Sequence, residues 1–152
     1  MVRSLVAAVL VALMASSVAD ARGGSITLSD ASVSPSRGIS TTSTGRVVID
    51  NAGAADRLVS ASCTCAAQVE LHRMWMDGQI MRMRKIEGGM AVPAHGKLVL
   101  GNSDQHLMLI GVKPLLKLGA KVTLKLHFQH AGTLSVDAPV QEVAPMPMKM
   151  RH

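Results

Sequence analysis

Short runs of β-prone residues, in which polar and apolar positions alternate, recur along this chain, and turn-forming Gly, Pro, Asn and Asp residues separate them. No window of about 11–18 residues keeps the apolar stripe of a helix. Many short strands at this spacing predict an all-β sandwich. The predicted strands cover residues 26–33, 46–50, 57–62, 68–76, 79–86, 97–100, 106–110, 121–129 and 133–140. The polar segment 34–44 and the residues after 143 are expected to be poorly ordered.

One strand pair is predicted in more detail, because Asp77-Gly78 between two β-prone runs is typical of a two-residue type I′ hairpin turn. With these two residues as the loop, His72 lies opposite Met83 and both side chains point to one face. Opposed residues have Cβ atoms about 4.5–5.5 Å apart, close enough to share one metal ion. The same face carries Met74 opposite Met81, together with Met76, and the other face carries Arg73, Arg82 and Arg84.

A second imidazole and thioether, His106 and Met108, stand two residues apart, which places both on one face of a strand. With His72 and Met83 they predict a His₂Met₂ metal site. Thioether sulfur suits Cu(I) and is a poor ligand for Zn²⁺, Mg²⁺ or Ca²⁺. The set contains no Asp or Glu, and no Cys lies near His106 to build a type 1 electron-transfer centre. Any single Met could instead fill the core.

The first 21 residues are typical of a secretory signal peptide, with Arg3, an apolar run at 5–15 and the small-x-small sequence Ala19-Asp20-Ala21. A membrane-spanning helix needs about 20 apolar residues, and this run is shorter. No later segment is apolar enough to span a membrane. A single soluble periplasmic domain is therefore predicted at 22–143. Thiols tend to be oxidised outside the cytoplasm, which favours Met over Cys as a Cu(I) ligand there.

Residues 144–152 are predicted to form a flexible tail whose alternating Met residues and final His bind further copper, including Cu(II). The alternative is an inert end whose Met residues are accidental. The candidate secondary ligands are Met74, Met81, Met146, Met148, Met150 and His152.

The formal net charge of +6 and the pI near 9.9 would suit a nucleic-acid partner. Export and the near absence of aromatic residues for base stacking, with only Trp75 and Phe128, argue against that partner. A basic surface more plausibly attracts an acidic protein or the anionic envelope. No catalytic triad, paired carboxylates or phosphate-binding loop stands out, so an enzyme is not expected.

Cys63 and Cys65 are either a soft-metal or redox pair or two packed or oxidised residues. Surface positions are expected for His95, His127 and His130.

Several motifs run through residues 25–140: Asp56-Arg57-Leu58, Val69-Glu70-Leu71-His72, Met76-Asp77-Gly78, Met81-Arg82-Met83, Val92-Pro93, His106-Leu107-Met108-Leu109-Ile110-Gly111 and the closing strand. In these motifs the chain resembles the periplasmic copper chaperones called PCu(A)C. The resemblance implies a cupredoxin-like, Greek-key β-sandwich and an H-x₁₀-M-x₂₁-H-x-M motif that binds Cu(I). The first gap matches, and the second holds 22 residues rather than 21. A loop with Gly88-Gly89 absorbs the extra residue easily.

We therefore expect a monomeric exported copper chaperone that passes Cu(I) by ligand exchange to a copper-bearing cytochrome oxidase subunit or a Sco-type protein. One alternative is a periplasmic protein that sequesters copper or confers resistance to it. Another is a structural envelope module in which the Met face is core. A Cu(I) titration separates the structural module from the others, and transfer to an apo acceptor separates the chaperone from the sequestering protein.

Overall fold

The chain folds into ten strands, as a computed structural model shows for residues 25–102, 104–113 and 116–142. The all-β prediction is confirmed, and the described ranges contain no helix long and apolar enough to cross a membrane. The predicted signal peptide and C-terminal tail lie outside the described residues. The strands are β1 (Ile26–Val33), β2 (Thr42–Asn51), β3 (Asp56–Cys63), β4 (Ala66–Asp77), β5 (Ile80–Lys85), β6 (Met90–Val92), β7 (Gly96–Leu100), β8 (Gln105–Val112), β9 (Lys121–Phe128) and β10 (Gly132–Pro139).

The strands form one sheet that curves until its two ends meet. Its order is β1-β2-β8-β4-β3-β9-β10, with β5 added to β4, β6 to β3 and β7 to β2. A parallel bridge between Val33 and Val140 joins the first strand to the chain just after the last one, and Gln141 N donates to Val33 O at 3.0 Å. This closure covers the ladder edges of the outermost strands and encloses the apolar face of the sheet.

Alternation along the strands builds the core. In β9 the side chains of Leu124, Leu126 and Phe128 are fully buried, while the residues between them are exposed. Each fully buried side chain of this size contributes about 1.5–3 kcal/mol relative to an exposed one. Strands β4 and β8 turn Leu71 and Leu107 toward the same core. Their alternate residues therefore point to the outer face of the sheet, where the candidate ligands lie.

The structure corrects the sequence prediction at one segment expected to be poorly ordered and at one strand that was not predicted. The segment 34–44 was expected to be poorly ordered, but its last residues belong to β2, where Ser43 pairs with Leu109 of β8. The Ser43 hydroxyl also donates to Ser34 O at 2.6 Å, so its polar side chain is satisfied in a buried position. Strand β6 was not predicted, because three residues are too few to show a period; it forms by pairing with β3.

The predicted register of the β4–β5 hairpin is also wrong, because each residue of β4 pairs with a residue of β5 two positions away from its predicted partner. Asp77 pairs with Ile80, so the two-residue loop is Gly78-Gln79 rather than Asp77-Gly78. A type I′ loop needs positive φ at both positions, whereas here only Gly78 has it, at 62°. His72 consequently lies opposite Lys85, and Met83 lies opposite Met74. Because the shift is an even number of residues, every predicted Met side chain stays on the predicted face.

Candidate metal site

Two imidazoles face each other across neighbouring strands on the outer face of the sheet. His72 of β4 pairs directly with His106 of β8, and their ring centroids are 5.7 Å apart at an interplanar angle of 53°. The pairing follows from the core contacts of the adjacent residues, since Leu71 pairs with Leu107 on the inner face. The two histidines were predicted to share one site, and the structure brings them together.

The ring nitrogens of this pair are almost entirely unsatisfied. Nδ1 of His72 and both nitrogens of His106 are buried without a hydrogen-bond partner among the described residues. His106 is only 4% exposed, so water does not readily replace the missing partners. Burial lowers the pKa of His106 below its usual value, and the nearby His72 lowers it further. A buried neutral imidazole carries a free lone pair, which is the form that binds a metal ion.

The fourth nitrogen of the pair is bound by a carboxylate that sequence analysis had excluded from the site. His72 Nε2 donates to Glu70 Oε2 at 2.8 Å. A carboxylate only accepts, so the hydrogen is on Nε2 and the neutral ring keeps its lone pair on Nδ1. Carboxylates that orient ligating histidines in this way are common next to metal ions. The signal was present in the sequence, because residues 70 and 72 stand at i, i+2 and so share a face.

Lys85 is the other site residue that sequence analysis missed. It lies opposite His72 in the β4–β5 ladder, and its Nζ is 3.4 Å from Glu70 Oε1. The hydrogen bond from His72 lowers the pKa of Glu70 and outweighs the effect of desolvation, and Lys85 lowers it further. Glu70 is therefore ionised and held between an imidazole and an ammonium. Its negative charge offsets the positive charge that a bound metal cation brings to this face.

The thioethers predicted as ligands lie around the histidine pair at unequal positions. Met108 shares the outer face of β8 with His106, two residues along, and pairs with Glu70. Met83 lies opposite Met74 instead of opposite His72, so it is diagonal to His72, and its side chain is 45% exposed. Met74 lies between Met83 and the site, because it follows His72 on the same face of β4 and pairs with Met83. The structure therefore adds Met74 as a competitor for the fourth ligand position.

The donor types present restrict the metals that fit. Within residues 25–102, 104–113 and 116–142, no three His, Cys, Asp or Glu side chains converge in the manner of a zinc or calcium site. Two imidazoles surrounded by thioethers instead suit a soft monovalent cation such as Cu(I).

The remaining candidates lie elsewhere. Cys63 and Cys65 form a disulfide at the turn between β3 and β4, and both are buried, so in this oxidised form they supply no thiolate ligand. Surface positions are confirmed for His95, His127 and His130, which are all exposed.

Comparison with protein families places most of the chain in one family. Residues 26–140 match the family model described as "Putative lipoprotein LpqE-like". Among curated proteins, the chain is 29% identical over 85 residues to "Putative lipoprotein Lxx21020" of Leifsonia xyli subsp. xyli, strain CTCB07. That alignment covers 56% of this chain and 51% of the relative, so the chain spans about half the length of the curated relative that it matches.

Solved structures with the same fold include PCuAC domains. The copper-bound PCuAC domain from PmoF2 has a TM-score of 0.64 and 16% identity, over 79% of this chain and 95% of that domain. The Cu(I) form of DR1885 from Deinococcus radiodurans has a TM-score of 0.55 and 28% identity, over 73% and 74%. The apo form of DR1885 has a TM-score of 0.61 and 26% identity, over 94% and 97%.

The cupredoxin-like sandwich expected from the sequence is confirmed by these neighbours, as is the resemblance to PCu(A)C proteins. The chain belongs to the LpqE-like family, a family of PCuAC type.

Proposed function

We propose that this protein is an exported copper chaperone that holds Cu(I) between His72 and His106 and releases it for assembly of the copper centre of cytochrome oxidase. The observation that carries the proposal is the set of three buried imidazole nitrogens without a hydrogen-bond partner on two rings that face each other. Each unsatisfied buried polar group costs about 1–3 kcal/mol. A neutral imidazole has one lone pair, so a cation can bind Nδ1 of His72 and one nitrogen of His106 and remove the cost at those two atoms. The arrangement is therefore best explained by a bound metal ion.

The ligand set that we propose is His72, Met83, His106 and Met108. The two imidazoles provide the strongest donors, and Met108 stands next to His106 on the same strand face. Met83 must reach diagonally across β4 toward His72, whereas Met74 is the next residue on that face. Comparing Met83→Leu with Met74→Leu therefore decides which thioether completes the site, because Leu keeps the apolar volume and removes only the sulfur.

Relatives and sequence both support export and copper as the cargo. The signal peptide predicted at 1–21 directs the chain out of the cytoplasm, and the family and the curated relative are both described as lipoproteins. Two of the solved PCuAC structures, those of PmoF2 and DR1885, are copper-bound forms. Copper carried by soft, uncharged thioethers in an oxidising compartment fits a donor set without free thiols.

Release follows from the position of the site. The histidines lie beside the exposed β4–β5 hairpin, and at least one candidate thioether is half exposed. An incoming thiolate acceptor can therefore displace thioethers one at a time while the buried imidazole of His106 holds the ion. Acceptors with thiolate ligands, such as an oxidase copper-bearing subunit or a Sco-type protein, bind Cu(I) more strongly than thioethers do.

An anaerobic transfer experiment tests this proposal. The mature protein is loaded with one equivalent of Cu(I), mixed with an apo oxidase copper domain or an apo Sco-type protein, and the two are separated and assayed for copper. A chaperone gives copper in the acceptor at a rate faster than release to buffer. Retention of the metal by the loaded protein would instead favour copper sequestration, and failure to load any Cu(I) would refute copper binding itself.

A further inference from the structure

Four methionines stand in two directly opposed pairs on one face of the β4–β5 hairpin. Met74 pairs with Met83 next to the histidine site, and Met76 pairs with Met81 near the tip. The tip pair is well exposed, at 46% for Met76 and 53% for Met81. Successive pairs on one strand face are about 6.8 Å apart along the strand. The thioethers therefore form a ladder that runs from the hairpin tip to His72.

These side chains do not fill a core. Every residue of β5 is exposed, and the reverse face of the hairpin carries Arg73, Arg82 and Arg84 together with the exposed side chains of Trp75 and Ile80. Among the described residues the buried hydrophobic core contains one methionine, Met90, which lies on β6 and away from the hairpin. A hairpin with solvent on both faces needs no methionine for stability. The ladder therefore requires an explanation other than packing.

We propose that Met76 and Met81 form a second Cu(I) site at the hairpin tip and that the ladder is an uptake path to the histidine pair. This inference rests on the proposed copper function and extends it to residues that the PCuAC motif does not include. Opposed residues have Cβ atoms about 4.5–5.5 Å apart, and the flexible thioethers can both reach one ion between them. Soft monovalent cations are the class of ligand that such a pair selects.

Movement along the ladder is a series of ligand exchanges without redox change. A Cu–S bond to Met74 or Met83 forms as a Cu–S bond to Met76 or Met81 breaks, and copper remains Cu(I) throughout. Affinity rises along the path, because the tip offers only two exposed thioethers, whereas the far end adds the imidazoles of His72 and His106. The tip is thus a weak capture site and the histidine pair the holding site.

Methionine-methyl NMR with Ag(I), a redox-stable probe for Cu(I), tests the second site directly. The background is the full mature chain with Met146, Met148 and Met150 all changed to Leu, so that tail thioethers do not compete. We expect the Met76 and Met81 methyl signals to shift as a second Ag(I) equivalent is added. The double variant Met76→Leu/Met81→Leu should bind only one equivalent, and Ile80→Leu, at the hairpin tip, should still bind two.

The same background with His72→Ala separates this inference from the proposed function. If Met76 and Met81 shift in that variant as well, the tip site exists independently of the histidine pair. If the two methyl signals stay fixed in both proteins under a severalfold excess of Ag(I), the tip site is refuted whatever the histidines do. Stopped-flow measurement of Cu(I) capture at the histidine pair tests the uptake path. If the path operates, Met76→Leu/Met81→Leu should capture Cu(I) more slowly but bind it at the histidine pair with unchanged affinity. Equal capture rates would overturn the uptake role.

Discussion

His72 and His106 face each other across β4 and β8 with their ring centroids 5.7 Å apart, and only one of their four nitrogens has a hydrogen-bond partner among the described residues. Such a pair destabilises the fold when no ligand is bound, because each buried nitrogen without a hydrogen-bond partner costs free energy. The arrangement becomes favourable when a cation lies between the rings.

The first prediction concerns Met108. Changing Met108→Leu should weaken Cu(I) binding by at least about tenfold, because it removes one donor and leaves the apolar volume nearly unchanged. The matched control is Met90→Leu, which makes the same change in the core. Competition with a chromogenic Cu(I) chelator measures both affinities. Equal affinities for the two variants would remove Met108 from the ligand set.

A second prediction isolates the carboxylate that orients His72. Glu70→Gln should reduce Cu(I) affinity about 10- to 100-fold, because the amide neither fixes the Nε2–H tautomer as firmly nor offsets the metal charge. Glu87→Gln is the control, since Glu87 also approaches Lys85, at 3.7 Å, but does not contact the imidazole. The same chelator competition measures both variants. If Glu87→Gln weakened Cu(I) binding as much as Glu70→Gln, the cause would be the loss of a nearby negative charge and not the loss of the group that orients the His72 ring.

The third prediction concerns pH. Burial, aided by His72, lowers the pKa of His106, so its neutral form persists to lower pH than that of a free imidazole at about 6.5. Cu(I) affinity should therefore stay constant down to pH values below about 6.5 and fall only as the pH drops through the lowered pKa of His106, where protons compete for its nitrogen. Met108→Leu should show the same pH profile at a lower affinity, because thioethers do not titrate. An affinity independent of pH from about 4 to 8 would exclude imidazole ligands.

A fourth prediction concerns the stability of the sheet. Asp56 accepts backbone hydrogen bonds from Arg57, His130 and Ala131 at 2.7, 3.0 and 2.9 Å, and so ties β3 to the turn after β9. Burial raises the pKa of Asp56, but these hydrogen bonds together outweigh burial and lower it below 3.8. The carboxylate therefore stabilises the fold above about pH 4, and that contribution is lost as the pH falls through the lowered pKa.

Asp56→Asn should accordingly reduce the free energy of unfolding by about 1–2 kcal/mol at pH 7 and flatten its dependence on acid pH. Urea titrations at several pH values measure both quantities. Asp50→Asn is the control, because Asp50 forms only a surface ion pair with Lys97 at 3.3 Å and its replacement should change little. If the free energy of unfolding of Asp56→Asn depended on acid pH as it does in the wild type, other groups would be responsible for that dependence.

The fifth prediction uses two adjacent glycines with the same backbone requirement. Gly88 and Gly89 have φ values of 79° and 82°, but only at Gly89 would an added Cβ overlap the carbonyl oxygen of Leu58. Gly88→Ala should therefore cost about 1–2 kcal/mol for its left-handed conformation, and Gly89→Ala clearly more. Urea denaturation measures the difference. Equal losses would mean that the chain shifts locally to make room.

Much of this protein could be predicted from its sequence because the signals are local. Alternation of polar and apolar residues predicted nine of the ten strands in the described part of the chain, and the even periodicity of a strand kept the methionines on one face although the hairpin register was wrong. The H-x-M spacing likewise placed His106 and Met108 together on one strand face. These features depend on neighbours in the chain, which the sequence displays directly.

Tertiary structure decided the features that depend on pairing between distant segments. The opposition of His72 and His106 arises because Leu71 and Leu107 meet in the core, and no local pattern fixes that register. Burial of His106 and the short strand β6 likewise depend on pairing with segments far away in the chain, and the Lys85 contact with Glu70 depends on the hairpin register. The sequence by itself determined the donor types and the face that they share, whereas long-range strand pairing decided which donors meet and how far water is excluded from them.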